Sequence, residues 1–252
     1  MRNILVPVPG SAAPSSTIVV FPHAGGSPRQ YAPWGRIAGS QARVLGVTYP
    51  GRDHRLGDAH PATMRDLAEE IAAALDAASP LILAGHSLGA ILAYETLLAW
   101  QRAGGGEGTT LVVSGQTSPD HAGGGTLHLG ADGALVEALS RSSPDTARAL
   151  AEPELAALYL PAIREDYRLI ETYSPPPPGS ATTQSSIVVV KGYADEELIT
   201  ASVAGWQRLS PDVLGPVLVP GDHMHHIDRP ELAQMCCGGV LRHAARTLQR
   251  KR

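Results

Sequence analysis

Short apolar runs recur along the chain at 17–21 (Thr-Ile-Val-Val-Phe), 44–47, 81–84, 111–113, 187–190 and 217–219. They are nearly continuous in Val, Ile and Leu instead of alternating with polar residues, the pattern of strands covered on both faces. Between them the spacing becomes helical. From Met64 to about Ala77, Leu67, Ile71 and Leu75 repeat every four residues, and Thr63 with Asp66 three positions later forms a capping-box start. A second helical stretch covers Ala90 to Trp100. Strands alternating with helices predict an α/β fold with a mostly parallel sheet flanked by helices.

The rhythm breaks after Ser114. No strand pattern returns before Ile187, and the interval opens with Ser118-Pro119-Asp120 and Gly123–Gly125 and closes with Pro175–Pro178. Inside it Glu154 to Tyr173 reads as a helix, with Leu155, Leu158, Ala162 and Leu169 near one face and Pro161 expected to kink it. So small an insertion is expected to act as a helical lid and not as a separate domain. The expected organisation is one domain over 1–252, with a core of about 1–117 and 184–252 and a lid of about 118–183.

Composition narrows the class. A chain of 252 residues that is 43% apolar can bury one large core. The formal charge of −4, with no Lys/Arg stripe outside the tail at 246–252, argues against nucleic acid. The N-terminal apolar run is broken by Pro7 and Pro9 and does not read as a signal peptide, and no run approaches a membrane span. The expectation is a cytoplasmic, soluble protein. Cys236 and Cys237 are neighbours in a predicted helix and point apart, so they read as small buried hydrophobes without a disulfide.

The chemistry centres on Gly85-His86-Ser87-Leu88-Gly89, between a predicted strand and a predicted helix. That context makes the pentapeptide a nucleophile elbow and Ser87 the expected nucleophile. Serine needs a base oriented by an acid, and in this class both follow the nucleophile in the chain. His223, in the turn Pro220-Gly221-Asp222-His223 after the last strand, is the expected base, with His225 and His226 as alternatives. Asp195, beyond the strand 187–190, is the expected acid. Asp120 is its main rival, and Glu196 and Glu197 read as helix-start charges. The oxyanion donors are expected at the Leu88 N–H and at Ala24 in the glycine-bearing loop Pro22–Gly26. A metal reading of His223–Asp228 finds only His243 further on and no Cys or His pair to complete it. No metal and no cofactor are expected.

Taken together, these segments resemble the type II thioesterases, the free-standing editing enzymes of polyketide and nonribosomal peptide assembly lines. The resemblance rests on Phe21–Ser27, on Tyr49-Pro50-Gly51-Arg52-Asp53, and on the elbow. It extends to Val113-Ser114-Gly115, Leu160–Tyr167, Glu171-Thr172-Tyr173 and Gly221-Asp222-His223. It implies the α/β-hydrolase fold and a thioester substrate on the phosphopantetheine arm of an acyl or peptidyl carrier protein, cleaved by a monomer with a gating lid. The chain departs from the family at Met224-His225-His226 and at Gln116-Thr117, which leaves dedicated product release open beside editing. A small-molecule carboxylesterase would use the same triad, and a silent hydrolase-fold binding protein would need none of it.

Overall fold

Seven strands form one sheet in the order β1-β3-β2-β4-β5-β6-β7. They are β1 (Leu5–Pro7), β2 (Thr17–Phe21), β3 (Arg43–Val47), β4 (Leu81–His86), β5 (Thr110–Ser114), β6 (Ser186–Gly192) and β7 (Val213–Val219). All neighbours pair in parallel except β1, which runs antiparallel to β3 at the edge. The structure is a computed structural model and describes residues 3–11, 16–76, 81–177, 179–198, 203–228 and 230–237. His243 and the basic tail lie outside the described residues.

The alternation of strand side chains divides the interior in two. Val19, Phe21, Leu83, Leu111, Val113, Ile187 and Val189 face one core, shared with α2 (Met64–Ala72) and α3 (Leu88–Arg102). Ile18, Val20, Ala84, Val112, Val188 and Val190 face the other, covered by α1 (Ala32–Ala38) and the C-terminal helix described below. The strand runs lack polar alternation for this reason: both faces are buried. Helix α3 is buried on every side from Leu88 to Trp100, so it shows no polar stripe.

The capping box at Thr63 and Asp66 forms as expected, but α2 stops at Ala72 and Leu75 packs only partly against the core. β7 starts four residues before its apolar run. Gly215 and Pro216 bulge opposite Val189, and Pro216 offers no N–H to the ladder.

Between β5 and β6 no strand occurs among the described residues. The interval holds α4 (Asp132–Ser142), α5 (Pro144–Ala149) and α6 (Pro153–Glu171). Pro161 lies inside α6, which continues through it. These helices enclose a small cluster of Leu135, Leu139, Ala147, Leu150, Leu160 and Ile163, while Leu169 of the same α6 joins the main core. After β7 come α7 (His225–Asp228) and α8 (Glu231–Cys237), where Cys236 and Cys237 are buried and free.

Candidate active site

The elbow is a product of close packing. Ser87 has φ 53° and ψ −125°, left-handed backbone that a non-glycine residue adopts only when its surroundings impose it. A Cβ at Gly85 would lie 2.1 Å from the Gly89 carbonyl oxygen, and one at Gly89 would lie 2.1 Å from that of Phe21. Both positions must therefore be glycine for β4 to turn into α3. The Ser87 N–H donates to the Ser114 carbonyl at 2.9 Å, tying the turn to the end of β5.

His223 follows β7, and Asp195 follows β6, at the same sheet edge as Ser87. His223 Nδ1 lies 3.1 Å from Asp195 Oδ2, and Ser87 and His223 line one cleft of about 270 Å³. Burial on its own would lower the His223 pKa, yet the Asp195 hydrogen bond and the charges of Glu197, Asp195 and Asp222 raise it overall. Burial would raise the Asp195 carboxyl, but its bond to His223, that ring's charge and the Glu197 N–H hold it below its usual value. The Glu197 N–H donates to Asp195 Oδ1 at 3.1 Å, and Lys191 Nζ donates to the Asp195 carbonyl at 2.9 Å. An oriented, anionic carboxylate beside a base-ready imidazole is the arrangement that activates a hydroxyl nucleophile.

Asp120 is engaged elsewhere. It accepts from Ser118 Oγ at 2.5 Å, pairs with His121 at 3.1 Å, and forms an ion pair with Arg208. Glu197, read from sequence as a helix-start charge, instead brings Oε2 to 3.7 Å from His223 Nδ1. Glu196 is exposed in the same turn.

His225 and His226 turn away from the cleft. The His225 Nδ1–H donates to the Asp222 carbonyl at 2.8 Å, which leaves Nε2 to accept from Ser114 Oγ at 2.7 Å. Ser114 Oγ then accepts from His86 Nδ1 at 3.2 Å. The His86 ring stacks on His226 with centroids 3.6 Å apart, and His23 meets both rings edge-on. Burial lowers the pKa of His86 and His226 far below the ordinary value and that of His23 to about 3, with neighbouring rings adding to the effect. A neutral histidine layer thus lies beneath the elbow. No group of three or more potential metal ligands converges among the described residues.

Leu88 opens α3, where the first backbone N–H groups have no partner inside the helix. Ala24 sits in the Pro22–Gly26 loop, half-buried against the first core. That loop is held by residues from two of the segments that carry the family resemblance, to which the sequence assigned no role at the site. Tyr49 Oη donates to the Pro22 carbonyl at 2.7 Å, Arg52 Nη1 donates to the Gly26 carbonyl at 2.7 Å, and the Gly25 N–H donates to Asp166 Oδ2 at 2.7 Å. A second cavity of about 500 Å³ opens beyond Gly25, under α5 and α6, lined by apolar groups that include Leu56, Leu158 and Ile163.

Comparison with known proteins points to one family. The family profile described as "Thioesterase domain" matches residues 16–238. The chain is 38% identical over 160 residues to a probable cadicidin biosynthesis thioesterase of Streptomyces griseus, a match covering 62% of this chain and 44% of that protein's length. It is 33% identical over 205 residues to the thioesterase PikA5 of Streptomyces venezuelae, covering 80% of this chain and 71% of that one. Among solved structures, YbtT, a type II thioesterase from the yersiniabactin NRPS/PKS pathway, superimposes with a TM-score of 0.82 at 25% identity, covering 96% and 98% of the two chains. RedJ, a thioesterase of the prodiginine pathway in Streptomyces coelicolor, gives a TM-score of 0.78 at 29% identity, covering 87% and 82%.

Proposed function

Since this chain belongs to the thioesterase family, we propose that it hydrolyses acyl or aminoacyl thioesters borne by carrier proteins of a polyketide or nonribosomal peptide assembly line. The observation that carries the reading is the His223–Asp195 contact at 3.1 Å in the cleft that Ser87 lines.

In the proposed reaction Ser87 Oγ attacks the thioester carbonyl while His223 Nε2 takes its proton, Nδ1 being committed to Asp195. The oxyanion is received by the N–H groups of Leu88 and Ala24. The C–S bond breaks, His223 returns the proton to the departing thiol, and water activated by the same imidazole releases the acid. Atoms balance with water alone, so the reaction calls for no metal and no bound cofactor. The partner is the carrier protein that presents the phosphopantetheine arm, and the 118–183 segment acts as a lid over the cleft in a monomeric, cytoplasmic enzyme. The biosynthetic relatives support removal of carrier-bound chains as the role of this chain.

The test is turnover of acyl-carrier substrates across chain lengths, read by intact-protein mass, beside simple esters of the same acids. Carrier-bound substrates should be preferred, and Ser87→Ala should abolish turnover. Equal rates on free esters would favour a carboxylesterase, and activity retained by Ser87→Ala would remove the elbow from the mechanism.

A further inference from the structure

Arg52 and Asp166 lie 114 positions apart and meet in the interior, with side chains 5% and 3% exposed. Arg52 Nη2 lies 2.7 Å from both Asp166 oxygens. The pair spans three segments. Arg52 follows β3, Asp166 stands on α6, and both grip the loop between β2 and α1 through the Gly26 carbonyl and the Gly25 N–H. Tyr49 fastens the preceding Pro22 carbonyl, and the Gly26 N–H returns to the His23 carbonyl at 2.9 Å. The backbone groups on either side of Ala24 are thus pinned, and three of the four ties end on Tyr49, Arg52 or Asp166.

Helix α6 is also seated tightly on these segments. A Cβ at Gly25 would lie 3.3 Å from Ile163 Cγ1, and one at Gly51 would lie 2.8 Å from Ala162 Cβ. Helix α6 thus approaches the backbone at Gly25 and Gly51 more closely than a side chain at either position would allow.

We infer that Arg52 and Asp166 are positioning residues through which the seating of α6 sets the oxyanion loop, so that the Ala24 donor is aimed only while the helix is docked. The inference rests on the proposed roles of Ser87 and Ala24. An ion pair placed for fold stability alone would have no need to end on the Gly25 N–H and the Gly26 carbonyl, the two backbone groups that fix the chain just after the donor residue. Replacing a buried pair with apolar side chains often preserves folding, while breaking one partner does not. That difference separates positioning from scaffolding.

The experiment compares Asp166→Asn, Arg52→Lys and the apolar double variant R52M/D166L with the wild type. It follows kcat and KM on a carrier-bound thioester, the inhibition constant of phenylboronic acid, and the thermal midpoint. The boronate forms a tetrahedral adduct on Ser87 whose oxygen occupies the oxyanion position, so its affinity reports the loop directly. Misplacing a donor by about 1 Å costs on the order of 10²-fold. The expected result is a fall of about ten- to a hundredfold in kcat with a parallel loss of boronate affinity, and KM within about threefold, in the double variant as well. A folded double variant with wild-type kcat and boronate affinity would overturn the inference, as would single variants that lose thermal stability alone. A wild type that binds the boronate but spares the carrier substrate would overturn the thioester reading, and the variants' boronate affinities would still decide this one.

Discussion

Glu197 places a second carboxylate on the imidazole of His223, with Oε2 3.7 Å from the same Nδ1 that Asp195 holds at 3.1 Å. The two carboxylates differ in setting: the Asp195 side chain is fully buried, while that of Glu197 is 53% exposed. Asp195 therefore orients the ring, and Glu197 acts mainly through its charge, screened by solvent. In the proposed mechanism His223 acts as a base only when neutral, so turnover should rise with pH through its pKa. Glu197 and Asp222 both help raise that pKa. Glu197→Gln should move the acid limb of the kcat/KM profile to lower pH, with the alkaline plateau within about fivefold of wild type, since an exposed pair contributes at most ~1 kcal/mol. An unchanged limb would show that the charge does not reach the ring.

The two acids weighed from sequence are separable by substitution. Asp195→Asn removes the acceptor that fixes the His223 tautomer and should lower kcat on the order of 10³- to 10⁴-fold. Asp120 is occupied by Ser118, His121 and Arg208, so Asp120→Asn should leave kcat within about threefold. Steady-state kinetics on one thioester substrate checks both. A large loss in the second variant would reverse the assignment.

The sequence made the sheet legible where strands are covered on both faces, and less so at its margins. β1 is a three-residue edge strand ending at Pro7, too short to show a period. β7 was half visible because Gly215 and Pro216 interrupt its apolar run at the bulge. At the site, Ser87, Asp195 and His223 stood out because each follows a strand at one sheet edge. The pairing of Arg52 with Asp166 is not legible: both residues stand in segments that carry the family resemblance, but they are 114 positions apart and only the fold brings them together. The histidine layer was hidden for the same reason, its rings being drawn from the β2, β4 and β7 ends.

That layer predicts acid sensitivity. In the unfolded chain these histidines take up a proton near pH 6.5, whereas His23 in the fold resists until about pH 3 and His86 and His226 are held well below 6.5. Between those limits the unfolded state binds more protons, so stability falls as pH drops below about 6.5, by up to ~1.4 kcal/mol per pH unit for each ring. His223 has the opposite sign. Its raised pKa gives stability that is full below 6.5 and is lost as pH rises through the folded value. Both His226 ring nitrogens are buried without a hydrogen-bond partner, so His226→Phe removes one titrating ring without removing such a bond. Urea unfolding from pH 7.5 to 5 should show a shallower acid loss in that variant. An identical slope would mean that the ring does not titrate on unfolding.

The cluster within 118–183 should be the first part of the molecule to yield. Leu135 and Leu139 pack with Leu150, Leu160 and Ile163 in a group separate from both sheet cores. Truncating a buried leucine costs about 2–5 kcal/mol, a small fraction of a large core but a large one of so small a cluster. Leu139→Ala should therefore loosen α4 and α5 while the sheet keeps its stability. Limited proteolysis should cut first between 118 and 183, and the thermal midpoint should move by only a few degrees. Since α6 holds both Ile163 of this cluster and Asp166 on the oxyanion loop, loosening the first should reach the second. Turnover should fall with the rate of cleavage in that segment. A variant cut rapidly there but fully active would show that α6 stays docked without the helices it packs against.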